Sequence, residues 1–292
     1  MALLQRILHR VEHWLTKEHE DKSFPMSDFE RLRHEIKPGD VLLVEGKSRV
    51  ADVIKTITQS RWSHAALYIG RLHDIEDPRM RERVRSFFDG QPDIQLIAES
   101  QLGLGTVIRP LYVYDKRHLR ICRPRDLRYK DGQQVISYAV ERLGSEYNVR
   151  QIFDLARFYL PWSILPRRLQ SSLFEWQPGG HTRTVCSTMI AEAFASINYP
   201  ILPLIKRGDG NQVRLFQRNP LLNVPSDFDY SPYFDIIKYP FFAFSNEEHP
   251  AYRMMPWDGQ VSLSDEEKHL YVDVDWKAHE RARKGSSRRP ES

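Results

Sequence analysis

Short apolar runs separated by turns and charged stretches constrain the fold of this chain more than any other feature. Val41-Leu42-Leu43-Val44 follows the turn Ile36-Lys37-Pro38-Gly39-Asp40 and is apolar throughout. Bounded in this way, it reads as a strand. His64-Ala65-Ala66-Leu67-Tyr68-Ile69 reads as a buried strand. Ile94–Glu99 is another, with Glu99 at its end. Thr106–Leu111 continues the strand pattern after Gly103 and Gly105, and Leu119–Arg123 is closed by Pro124. Helical spacing falls between and after these runs. Val53, Ile54 and Ile57 recur within 50–58, and Val135, Ile136, Tyr138, Ala139 and Leu143 within 132–143, where Gly144 is a natural C-cap. Residues 21–35 read as a polar link. Residues 71–93 read as a charged excursion between two paired strands, with a helical middle from Arg79 to Phe88. After Pro200 the chain is Pro- and Asn-rich as far as Asn223; Val224–Phe234 reads as loop, and Asp235–Tyr239 as a last short strand.

With 292 residues, 41% of them hydrophobic, the chain can bury a sizeable core in one large domain or two small ones. Its net charge of +4 is confined to one place. Residues 277–292 hold six Lys/Arg against two Asp/Glu, so the other 276 residues sum to zero. The basic balance therefore points to a solvated, disordered tail and not to a nucleic-acid surface, and no nucleic-acid partner is expected. Two cysteines, Cys122 and Cys186, make no disulfide framework, and no paired Cys-x-x-Cys is present. The histidines are scattered, so neither a metal nor another cofactor is expected. Residues 1–20 place Leu3, Leu4, Ile7, Leu8, Val11, Trp14 and Leu15 on one face of an amphipathic helix. That helix suits either docking on the protein's own core or peripheral contact with a membrane, although its three basic and three acidic residues cancel. Without a signal-peptide pattern or a long apolar run, the expected location is cytoplasmic, with any membrane contact peripheral. The expected organisation is an N-terminal helix and linker (1–35), a main domain (36–245) with the charged insertion at 71–93 and an aromatic-rich segment at 149–180, and a C-terminal extension (246–292).

Cys186 is where chemistry is to be sought. It lies between Pro178-Gly179-Gly180 and a helical pattern carried by Met189, Ile190, Ala193 and Phe194, with Thr184 and Ser187 as candidate caps. A thiol in the first turn of a helix feels the positive end of the dipole, which favours the nucleophilic thiolate. Position alone favours a buried structural cysteine over a nucleophile. Cys122, on a strand between arginines, is expected in the core. Cysteine chemistry needs a base within reach of sulfur and a group to orient that base. His64 and Glu99, each on its own strand, can supply these, and backbone N–H groups at the start of the Cys186 helix would serve an oxyanion.

The ordered series Asp40–Val44, Trp62–Gly70, Ile97–Glu99, Leu143–Asn148, Val185–Ala191 and Val224–Phe228 resembles the circularly permuted papain-like hydrolases of the NlpC superfamily, in particular the YiiX/YebB-like group. In that group the histidine strand precedes the cysteine helix. The resemblance covers roughly residues 36–240. It implies an α+β fold in which an antiparallel sheet or small barrel packs against helices that include the nucleophile helix. It further implies Cys186 as nucleophile, His64 as base and Glu99 as third polar residue, acting through an acyl-enzyme. Trp62, Ser63 and Tyr147 are candidates for the substrate cleft. The charged excursion lengthens the gap before Glu99, and the aromatic-rich segment is an addition to the family core and a candidate for setting the substrate. The implied function is a cysteine hydrolase of amidase, peptidase or thioesterase type acting on an amide or ester, a lipid or acylated compound among the candidates. A lipid acyltransferase and a catalytically silent binding module are the alternatives. The sequence leaves the oligomeric state open.

Overall fold

β1 (Val41–Val44) is apolar at every position because both of its faces are covered. In the structure, a computed structural model, residues 10, 14, 16–18, 25–101, 104–145, 186–207 and 212–241 are described. The remaining elements in chain order are α1 (Phe29–Glu35), α2 (Arg49–Thr58), β2 (His64–Gly70), α3 (Pro78–Phe87), β3 (Leu96–Gln101), β4 (Gly105–Pro110), β5 (Leu119–Pro124), α4 (Tyr129–Glu141), α5 (Cys186–Ser196), β6 (Leu204–Arg207), β7 (Val213–Phe216), α6 (Pro225–Tyr230) and β8 (Phe234–Ile237). Of these, α1 precedes β1. Six strands form one sheet in the order β4-β3-β2-β1-β5-β8, every neighbouring pair antiparallel. β6 and β7 pair separately as a two-stranded ribbon.

Strand alternation sorts the sheet's side chains into two cores. Val41, Leu43, Leu67, Ile69, Ala98 and Cys122 face α4 and α5, meeting Val135, Ile136 and Ala139 of the former and Met189, Ile190 and Phe194 of the latter. Leu42, Val44, Ala66, Tyr68, Ile97 and Ile121 form the other core with Leu32 of α1 and Leu111. The result is an α+β architecture of antiparallel sheet and helices. Phe194, Tyr199, Phe228 and Phe234 meet edge-on or tilted at centroid distances of 5.3–6.4 Å, which ties α6 and β8 to α5.

The 71–93 excursion is bolted down rather than solvated. Asp77 caps α3 and Pro78 opens it, while Val84 is buried. Arg83 donates to the carbonyls of Val140 (Nε, 2.9 Å) and Leu143 (Nη2, 2.9 Å), which have no further helical turn to accept from. Gln133 accepts from the Glu76 N–H and donates to the Asp74 carbonyl. The C-cap of α4 is Arg142 and not Gly144, which lies two residues further on with φ +76° and donates its N–H to the Thr106 carbonyl (3.1 Å).

Three elements differ from the sequence expectation. The stretch read as a polar link contains α1, capped by Asp28, whose side chain accepts from the Arg31 N–H. It spans seven residues, too few for periodicity to emerge. The stretch read as loop contains α6. Pro225 there occupies the first helical turn, where its missing N–H is harmless, and Asp227 accepts from the Val224 N–H. The Pro- and Asn-rich stretch contains the β6–β7 ribbon, and the last strand runs from Phe234 rather than Asp235. Asp40 shapes its turn by accepting from the Lys37 N–H, and it also forms a buried ion pair with Arg123 (2.9 Å). The chain divides into compact units at 1–242 and 243–292, and every described residue falls in the first. The amphipathic helix read over 1–20, apart from residues 10, 14 and 16–18, lies outside the described residues, as do the 149–180 segment and the C-terminal tail. Among the described residues no helix is long and apolar enough to cross a membrane.

Candidate active site

His64 is the first residue of β2 and lies opposite Val44 of β1. The two residues before it fix where the strand begins. Trp62 is 4% exposed; its indole N–H donates to Asp229 Oδ2 (3.2 Å), and its ring stacks between His118 (5.1 Å) and the Arg120 guanidinium (4.7 Å). Arg120 in turn donates to both Asp229 oxygens. Burial, then the Arg120 and Arg61 charges, lower the His118 pKa to about 4, so this imidazole is neutral at physiological pH. Ser63 donates its N–H to the Val44 carbonyl and accepts the Gly46 N–H at its hydroxyl (2.9 Å). Both residues had been candidates to line the cleft. The structure instead buries them and engages their polar atoms within the protein, so they position the histidine. Tyr147, the third cleft candidate, lies outside the described residues.

Glu99 is fully buried, and it sits within β3 rather than at a solvated strand end. The charged excursion leaves the pairing of its flanking strands intact, with Leu67 opposite Ala98 and Tyr68 opposite Ile97. Each carboxylate oxygen meets two groups. Oε2 lies 2.8 Å from His64 Nε2 and accepts the Tyr114 hydroxyl at 2.6 Å. Oε1 accepts from Gln101 Nε2 at 2.6 Å and from Arg109 Nη1 at 3.3 Å. Burial alone would raise the Glu99 pKa; the His64 charge, the His64 and Tyr114 hydrogen bonds and the Arg109 charge outweigh it and hold the group ionised. The Tyr114 pKa moves well up, through burial and the carboxylate beside it, so its phenol stays a donor.

Cys186 opens α5 and is 5% exposed. Its thiol is close enough to the His64 ring and to the backbone N–H groups of Ala65 and Ser187 for each to act on its ionisation. Burial would raise its pKa, but the imidazolium charge, hydrogen bonding to that ring and the two N–H groups bring it below the ordinary thiol value. For His64 burial favours the neutral ring; the opposing thiolate and carboxylate prevail and raise its pKa to about 10. Both shifts act in the direction that favours a thiolate–imidazolium pair over the neutral pair. With Nε2 engaged by Glu99, Nδ1 is the ring nitrogen left for sulfur. By strand alternation His64 and Glu99 share the face of Val44 and Ile97, whereas α5 packs against the other face. The thiol meets the imidazole at the rim of the sheet, against the backbone of Ala65. Ser187, read as a candidate cap, instead donates its hydroxyl to the Asn223 carbonyl (2.7 Å), and Thr184 lies outside the described residues. Cys122 is fully buried and burial pushes its thiol well up, as a core cysteine requires. Among the described residues no three His, Cys, Asp or Glu side chains are grouped to hold a metal ion.

The sequence reading missed Gln101, Arg109 and Tyr114. Gln101 was within reach, two positions from Glu99 on the same strand face. Arg109 sits opposite Ile97 on β4, diagonal to Glu99, and needed the register. Tyr114 ends a 3-10 turn (Leu111–Tyr114), and no local pattern marks it. Tyr114→Phe is expected to lower stability by about 1.5–3 kcal/mol, the scale of a hydrogen bond to a charged group. Urea denaturation checks this, and an unchanged midpoint would show that the phenol contributes nothing to holding the carboxylate.

Residues 35–159 match the family model described as permuted papain-like amidase enzyme, YaeF/YiiX, C92 family. That stretch holds His64 and Glu99 and ends before Cys186. No curated protein matches. Among solved structures, the crystal structure of metalloprotein yiiX from Escherichia coli O157:H7 aligns with 70% of this chain and 97% of its own at 14% identity and a TM-score of 0.41. The family match bears out the YiiX-like, permuted papain-like resemblance and its α+β fold. That family is described as one of amidases.

Proposed function

We propose that this chain is a cysteine hydrolase of the amidase type, with Cys186 as nucleophile, His64 as general base and acid, and Glu99 as the residue that positions His64. One observation carries the reading: a single imidazole joins a fully buried carboxylate on one side to the first thiol of a helix on the other. The thiolate attacks the carbonyl carbon, a C–S bond forms, and the carbonyl electron pair moves to oxygen. First-turn N–H groups of α5 are placed to stabilise that charge. The tetrahedral species collapses as the His64 imidazolium gives its proton to the departing amine or alkoxide, leaving a thioester on Cys186. His64, now neutral, takes a proton from water as the water attacks, and the acid departs as the thiolate re-forms. Glu99 keeps the ring in place and stabilises its positive charge without itself being protonated.

The bond cleaved is an amide or an ester. Lipid and acylated substrates are the first to assay, on the strength of the aromatic-rich 149–180 sequence. An acyltransferase would share every step up to the thioester and differ only in the acceptor. The protein is proposed to work in the cytoplasm.

Iodoacetamide labelling across pH tests the reading, with Cys186 and Cys122 followed separately by peptide mass spectrometry. Cys186 should be alkylated well below the free-thiol pKa of about 8.5. His64→Ala should move that midpoint up by at least about one unit, since an opposite charge within contact shifts a pKa by one to three. Cys122 should stay inert in both. Identical profiles for wild type and His64→Ala would remove the thiolate–imidazolium pair and the mechanism with it.

A further inference from the structure

We infer that the β6–β7 ribbon is a docking element for an anionic lipid surface. Leu204, Ile205, Val213, Leu215 and Phe216 are each 44–66% exposed, although they make up five of the ribbon's eight strand residues. The pairs Leu204–Phe216 and Ile205–Leu215 are adjacent in the ladder, and neighbouring positions point to opposite sides. Apolar side chains therefore project from both faces of the ribbon. A flat protein interface or a second copy would cover one face and leave the other in water. The interfacial layer of a bilayer takes up both.

The charges select the sign of that surface. The other three strand residues are Lys206, Arg207 and Arg214, and Lys206 lies directly opposite Arg214. Like charges opposed across a ladder destabilise it, so this pair works against the ribbon's own folding. Among the described residues no carboxylate forms an ion pair with any of the three. Lys206 Nζ lies 5.5 Å from the Phe216 ring centroid, and long basic side chains of this kind lay their stems along apolar surface while the charged heads reach phosphate. At the ribbon's root, a cavity of about 210 Å³ opens between the ribbon and α5, walled by Ala195, Ile201, Leu202, Leu215 and Phe216. Asn198, Gln217, Arg218 and Asn223 also line it, and its apolar part adds to the surface that a lipid chain can cover. This inference does not depend on the hydrolase reading.

Vesicle flotation with the full chain tests it, using phosphatidylcholine vesicles alone or with one third phosphatidylserine. The wild type should float with the anionic vesicles and much less with the neutral ones, and added salt should release it. Lys206→Ala with Arg214→Ala should weaken binding at least tenfold, as loss of two basic contacts predicts. That variant removes a repulsive pair together with the Lys206–Phe216 contact, so its melting temperature should hold, which separates lost binding from lost folding. Leu215→Asp should also abolish flotation. No flotation of the wild type, or equal flotation of wild type and both variants, would overturn the inference. So would concentration-dependent self-association abolished by Leu215→Asp, which would make the ribbon a protein interface.

Discussion

Cys186→Ala will fold and will lose hydrolysis of activated acyl substrates by at least about 10⁴-fold, the scale on which removing a covalent nucleophile acts. The loss should be that large because no other described group can replace the sulfur. Cys122 is sealed in the core with its thiol held protonated, and the remaining members of the site are a base and its carboxylate. Folding should survive, because Met189, Ile190, Ala193 and Phe194, and not the thiol, anchor α5 to the sheet. Release of p-nitrophenol from p-nitrophenyl acetate measures turnover, and peptide mass spectrometry should find an acetyl adduct on Cys186 in wild type. A folded alanine variant with wild-type turnover would place the chemistry elsewhere. The pH profile should be a bell. Its acid limb follows the Cys186 thiol, below the ordinary thiol range, because a protonated sulfur does not attack. Its alkaline limb lies near pH 10, where His64 gives up the proton that the leaving group needs.

Glu99→Ala carries the second large effect, on stability. Removing the carboxylate takes the shared acceptor from the Arg109 guanidinium, the Tyr114 hydroxyl, the Gln101 amide and the His64 ring. Breaking a buried ion pair from one side costs about 3–5 kcal/mol, enough to unfold a marginal domain. Glu99→Gln keeps the shape and part of the acceptor capacity, so it should lose less; without the negative charge, the His64 pKa should fall from about 10. Urea denaturation reads the first effect and an NMR titration of the His64 ring the second. The acid dependence has a definite sign. The native carboxyl titrates below its ordinary value of 4.5, so its contribution is complete above 4.5 and is lost as pH falls through the lower native pKa. The acid-induced loss of stability in that window should shrink in Glu99→Gln. Equal denaturation midpoints for wild type and Glu99→Ala would show that the carboxylate does not hold its four partners together.

What could be read from the sequence followed from how locally each feature is determined. β1 was legible because a strand covered on both faces must be apolar at every position. His64 and Cys186 stood out because their chemistry is rare and their order along the chain resembled a known permuted arrangement. Glu99 was placed by that order, but its burial and its contacts with Arg109 and Tyr114 depend on strand register and on a turn at Tyr114. α1 and α6 were hidden because one turn or two of helix leave no period to detect. The β6–β7 ribbon was hidden for a different reason. Apolar residues on both of its faces erase the alternation by which a half-buried strand announces itself. The chemistry of Trp62 and Ser63 suggested a cleft, but their positions made them supports for the strand that begins at His64.

The meeting of thiol and imidazole at the sheet rim has a consequence for the newly made chain. The two groups belong to segments more than a hundred residues apart, one in the sheet and one on a helix that packs against its opposite face. Contacts with that separation form late, after most of the loop-closure entropy has been overcome. Until α5 docks, Cys186 is an ordinary thiol with an ordinary pKa, unable to take an acyl group from a passing ester. Reactivity toward electrophiles then switches on as tertiary structure completes, so the rate at which Cys186 becomes alkylatable during refolding is a clock for the last step of assembly.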